Sequence, residues 1–144
     1  IMANMSYLYE VNKTRFQNNG KPEITYNNKM PNRPWLYANG GVSYRLYNIF
    51  GIPDSRLSLG YDMRYVHWFY LTWEGYGALN AKSTIPTQWI SNARISYSWC
   101  TDRYTLSVSC DNLFDQIAYD KYKLQKPGRE FGVKFRMFIN SIKK

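Results

Sequence analysis

Alternation with a period of two runs through long stretches of this chain and limits its fold more than any other feature. From Phe131 the odd positions read Phe131, Val133, Phe135, Met137 and Ile139, while the even ones include Gly132, Lys134 and Arg136. Successive strand side chains point to opposite faces, so this run is a strand with one apolar and one polar face. The same pattern recurs at about 2–12, 34–48, 56–72, 88–99 and 103–114. Leu57, Leu59, Tyr61, Met63, Tyr65, His67 and Phe69 alternate with Ser58, Gly60, Asp62 and Arg64. Gly, Pro, Asn and Asp lie between the runs, and no capped 3.6-period stripe competes with them. The prediction is six antiparallel strands and no long helix.

Connection lengths add a second constraint. "IFGIPDS" and "CTD" are short, whereas 13–33, 73–87 and 116–127 are long. Short and long alternate along the chain. In an up-and-down sheet all long loops then lie at one end and all short turns at the other, as in transmembrane barrels. Trp99 and Tyr104 flank the tight turn as expected cross-strand partners, and Tyr65, His67 and Phe69 sit at the other end of strand three. Rings at strand ends with smaller aliphatics between are the pattern of two interfacial girdles. Strands of this length also exceed the usual five or six residues of soluble sheets. A soluble sandwich, whose apolar face meets a second sheet, stays open as the alternative. It would be a ligand-binding module, for glycans, using exposed rings.

Charge bears on partners. The net charge is +9, and Tyr, Trp and Phe make up 18% of residues. A basic, aromatic chain suits a nucleic-acid binder with stacking platforms, a surface that meets anions or a membrane, or loops that are merely well solvated. No run of 18 apolar residues is present, so no helix spans a membrane, which leaves a barrel open. The opening "IMANMSYLYEV" lacks the basic start and continuous apolar run of a signal peptide and enters as if mid-strand. With Trp99 opposite Tyr104, Cys110 falls near Ala93, and Cys100 lies roughly 20 Å away at ~3.3 Å per residue, too far for a disulfide.

Catalysis and metal binding have little support. The single histidine, His67, belongs to an aromatic run on the apolar face. Asp111, Asp115 and Asp120 do not match a calcium-loop spacing, and Asp115 reads as a turn residue. Neither a phosphate-binding glycine loop nor a zinc pattern occurs. No enzyme, cofactor or metal role is expected.

The segment "SVSCDNLFDQIAYDKYKLQKPGREFGVKFRMFI" resembles the C-terminal end of TonB-dependent outer-membrane receptors of the Bacteroidetes type. The likeness rests on Asn112-Leu113-Phe114-Asp115, on the Gly128-Arg129 pair and on the alternating last strand, with "MPNRPW" (30–35) in support. It covers essentially the whole chain. It implies an all-β, antiparallel up-and-down transmembrane barrel of which residues 1–144 supply about the last six strands, with plug and earlier strands outside them. It implies an outer-membrane location and energised uptake of a scarce nutrient, an iron chelate (siderophore or haem). The implied partners are the TonB complex, outer-membrane lipid and lipopolysaccharide, the nutrient and the barrel-assembly machinery, with no nucleic acid.

On that reading Arg45, Asp62, Arg64, Arg94, Lys134 and Arg136 face the lumen and the plug. Trp73, Tyr76, Lys82, Tyr119, Lys121 and Tyr122 are the loop residues placed to meet an anionic ligand through stacking, cation–π contact and charge. Family members commonly end on an aromatic residue that assembly reads. Here Phe138 is followed by Ile139 and a tail, 140–144, so the signal falls to Phe138 or Ile139.

Overall fold

A computed structural model describes residues 1–74, 83–120 and 123–139. The described residues form no α-helix. Six strands build one antiparallel sheet in the spatial order β1 (Met2–Tyr7), β2 (Leu36–Tyr47), β3 (Arg56–Val66), β6 (Gln88–Trp99), β7 (Tyr104–Asp111), β8 (Glu130–Met137). Two short strands, β4 (Phe69–Tyr70) and β5 (Thr84–Ile85), pair apart from it. Every neighbour in the large sheet is the next one along the chain, leaving β4 and β5 aside, so the connectivity is up-and-down. The sheet is not closed: β1 and β8 are its edges.

The register follows the alternation. Trp99 pairs with Tyr104 and Ala93 with Cys110, as the sequence predicts. Cys100 is exposed in the turn, Cys110 is buried, and neither is bonded to the other. The tight turn runs through three consecutive left-handed residues, Cys100, Thr101 and Asp102. Short connections lie at one end of the sheet, and the three long ones at the other.

The pairing also sorts the two faces. Tyr44, Leu59, Ile95, Val108 and Val133 form one row across five strands. These side chains are largely uncovered: Ile95 is 53% and Val133 74% exposed. Among the described residues no second sheet lies over this face. Rings border it at both ends. At the turn end Trp99 stacks on Tyr97 and Tyr104 with centroids 5.5 and 5.6 Å apart, and Phe135 extends the group. At the loop end Tyr65 meets Trp89 at 4.4 Å and Trp35 meets His67 at 4.1 Å.

Three expected strand limits shift. Strand one ends at Tyr7, because from Val11 the chain pairs within its own loop, at Lys29. Strand five ends at Asp111, because Asn112 turns left-handed at φ 52°. Strand three ends at Val66, and this corrects the place of Phe69. The chain changes partner after His67, whose N–H still donates to Leu36 O, and Phe69 then pairs with Ile85. Phe69 is therefore 5% exposed and is no part of the outward ring. With Ile85, Ile90 and Ala118 it belongs to the small core at the loop end.

Candidate functional site

The polar face gathers all six predicted residues. Odd positions of β2 pair with even positions of β3 and β6, which sets Arg45 in a row with Ser58, Ser96, Ser107 and Lys134. The next row holds Ser43, Gly60, Arg94, Ser109 and Gly132. Asp62 sits opposite Gly41 and Asn92, Arg64 opposite Asn39 and Ile90, and Arg136 opposite Thr105. Serine and glycine thus separate the charges and keep the face open.

Few of these charges are neutralised among the described residues. Asp62 Oδ2 accepts from Asn92 Nδ2 at 2.7 Å. Arg136 donates to Thr105 Oγ1 at 3.4 Å and lies over the Phe138 ring. The ion pair on this face joins Arg56 to Asp102, 2.8 Å apart beside the turn. Arg45, Arg64, Arg94 and Lys134 make no ion pair among the described residues. Asp62 and the paired Asp111 and Glu130 share this face, so its cations outnumber its carboxylates, and a surface of net positive charge attracts anionic groups.

At the loop end the described parts of the connection after β7, 112–120 and 123–129, fold over this face. A cavity of about 450 Å³ opens there, its wall including Tyr37, Arg64, Phe69, Gln88, Tyr119 and Lys126. Of the predicted loop residues Tyr119 lines it; its backbone N–H donates to Gln88 Oε1 at 2.9 Å. Trp73 is half-buried and stands outside its lining. Tyr76, Lys82, Lys121 and Tyr122 lie outside the described residues, as does the tail 140–144. Tyr37 and Gln88 were not singled out from sequence. Tyr37 shares the odd register of Asn39 and Arg45, and Gln88 the even register of Asn92 and Arg94, so the alternation already carried both; the burial of Gln88 had no such signal.

The Asn-Leu-Phe-Asp and Gly-Arg segments prove to be two halves of one staple. Asn112 and Asp115 both adopt left-handed φ, 52° and 53°, which Asn and Asp tolerate best after glycine. Asn112 is buried; its Nδ2 donates to Gln116 O at 2.8 Å and its Oδ1 accepts from Gln116 N at 2.9 Å. Asp115 Oδ1 accepts from the Arg129 backbone N–H at 2.8 Å. A Cβ at position 128 would stand 2.6 Å from that oxygen, so any larger residue there must push the carboxylate away. Arg129 takes part through its backbone.

The end of the last strand is anchored on one side. Phe138 N donates to Arg103 O at 2.9 Å, whereas Ile139 is 76% exposed. Near the loops, partial burial and then the Glu74 carboxylate raise the Tyr70 phenol above its usual pKa, and the Tyr70 hydroxyl donates to Glu74 Oε1 at 3.3 Å. Comparison with protein-family models, with curated proteins and with solved structures finds no match to this chain.

Proposed function

We propose that this chain forms six adjacent strands in the wall of an outer-membrane transport receptor of the TonB-dependent type, which takes up an iron chelate, siderophore or haem, with energy delivered through TonB. The observation that carries this reading is the pairing of an uncovered apolar band, ringed at both ends, with a cationic opposite face. Trp89 and Trp99 mark the two rings and lie ten residues apart on β6. At ~3.3 Å per residue that is about 33 Å along the strand. Inclined by ~40°, it spans about 25 Å, the height of the apolar band on barrels of this kind. Further strands continue the sheet from its β1 and β8 edges until it closes.

On this reading Arg45, Arg64, Arg94 and Lys134 face a watery lumen, where an acidic plug surface or an anionic chelate supplies their counter-charge. The cavity beside Tyr119 and Lys126 lies at the outer mouth and makes first contact with the ligand.

Cell fractionation and uptake test it together. The protein as the cell makes it is expected in outer-membrane fractions, released only by detergent. Cells lacking it are expected to lose TonB-dependent accumulation of a labelled ferric siderophore or of haem. Recovery in the soluble fraction, with binding to a glycan array, would replace this reading with the sandwich module.

A further inference from the structure

A second cationic pocket lies at the outward rim of the sheet, away from the polar face. Tyr7, which extends the outward row position of Leu36, forms one wall. Glu10, Lys29, Arg33 and Trp35 complete much of the rest, around a cavity of about 150 Å³. This volume suits a single phosphate-sized group rather than a chelate. The pocket is level with the loop-end rings, since Tyr7 meets Trp35 edge-on at 5.9 Å and Trp35 meets His67.

Three features fit an anion there. The Lys29 ammonium lies between two indoles, 5.1 Å from the Trp35 centroid and 5.8 Å from that of Trp68. It has no carboxylate partner among the described residues. Glu74 accepts from the Lys29 backbone and from Tyr70, and stands outside the pocket lining. Arg33 meets Glu10 through Nε at 3.5 Å, which leaves its terminal nitrogens to donate elsewhere. The Trp35 indole N–H is buried without an acceptor among the described residues, and a buried donor left unpaired is destabilising. An oxyanion that draws Lys29 off the ring would supply one.

The geometry points to a binding site for the phosphate of an outer-leaflet lipid headgroup, held by Lys29 and Arg33 against Trp35. The lipid source rests on the membrane reading above: a cation among rings at girdle height meets headgroups, and its acyl chains continue down the apolar face. Charge-assisted hydrogen bonds contribute about 1.5–3 kcal/mol, or roughly ten- to a hundredfold in affinity.

The test uses the protein extracted from envelope membranes in detergent, with phosphatidic acid titrated in and retained lipid counted by native mass spectrometry. Lys29→Ala and Arg33→Ala are each expected to weaken retention at least about tenfold. Lys29→Arg restores it, and Arg15→Ala, which removes a loop cation over Tyr26 instead, leaves it unchanged. Equal retention in all variants overturns the site. Glycerol phosphate binding as tightly as the lipid overturns the lipid source. Absence of the protein from envelope membranes, scored before any titration, overturns the barrel reading instead, and the lipid source with it.

Discussion

A lysine scan on three positions separates a lipid-facing sheet from a water-facing or sheet-covered one. Ala38 and Ala93 both point to the apolar face and are both half-buried. Ala38 shares its row with Tyr65 and Trp89, at the height of the loop-end rings. Ala93 lies four residues from Trp89 and six from Trp99, close to the middle of the band. On a lipid face the cost of lysine depends on depth: about 2–4 kcal/mol at the midplane and ~0–1 near the interface. Ala93→Lys is therefore expected to destabilise by about 2–4 kcal/mol and Ala38→Lys by under ~1 kcal/mol. Ser43→Lys, exposed on the polar face, is expected within about 0.5 kcal/mol of wild type, as at ordinary surface sites. Equilibrium denaturant unfolding of the protein reconstituted in bilayers measures all three. The starting residue is alanine in both apolar positions, so side-chain volume cancels and depth alone differs. A sandwich core would penalise both alanine sites alike, and bare exposure to water would penalise neither. Either pattern refutes the membrane reading.

Other substitutions probe the local chemistry. Gly128→Ala is expected to destabilise by about 1–3 kcal/mol by displacing Asp115 Oδ1 from the Arg129 N–H, and combining it with Asp115→Ala should add little, because both break the same contact; thermal unfolding of the four species checks this. Thr101→Gly is expected to stabilise by about 1 kcal/mol, since a β-branched residue there holds a left-handed φ that glycine adopts freely. A maleimide reagent should label Cys100 in the folded protein and reach Cys110 only on unfolding, readable by mass spectrometry; equal labelling would place Cys110 at the surface.

The six-strand plan was legible because alternation, turn residues and loop lengths are local signals that agree with one another. The Trp99–Tyr104 pairing could be placed from a single tight turn, and that fixed the partner of Cys110 six residues away. The fate of Phe69 was hidden for the same reason. His67 and Phe69 keep the period of two past Val66, and periodicity cannot report that the backbone has exchanged partners. The cavity was half legible. Arg64 and Tyr119 stood out by type, but the turn after β7 that carries Tyr119 over the polar face depends on Asn112 and Asp115 meeting backbone atoms, which no face pattern records.

The staple at the base of that connection touches its own chain through main-chain groups: the N–H and C=O of Gln116 and the N–H of Arg129. Those atoms are the same whatever side chains lie between them. The residues between can therefore change while the two roots stay fixed to β7 and β8. The last hairpin behaves as a socket, with Asn112, Asp115 and Gly128 as the fitting and the intervening residues as the exchangeable tool.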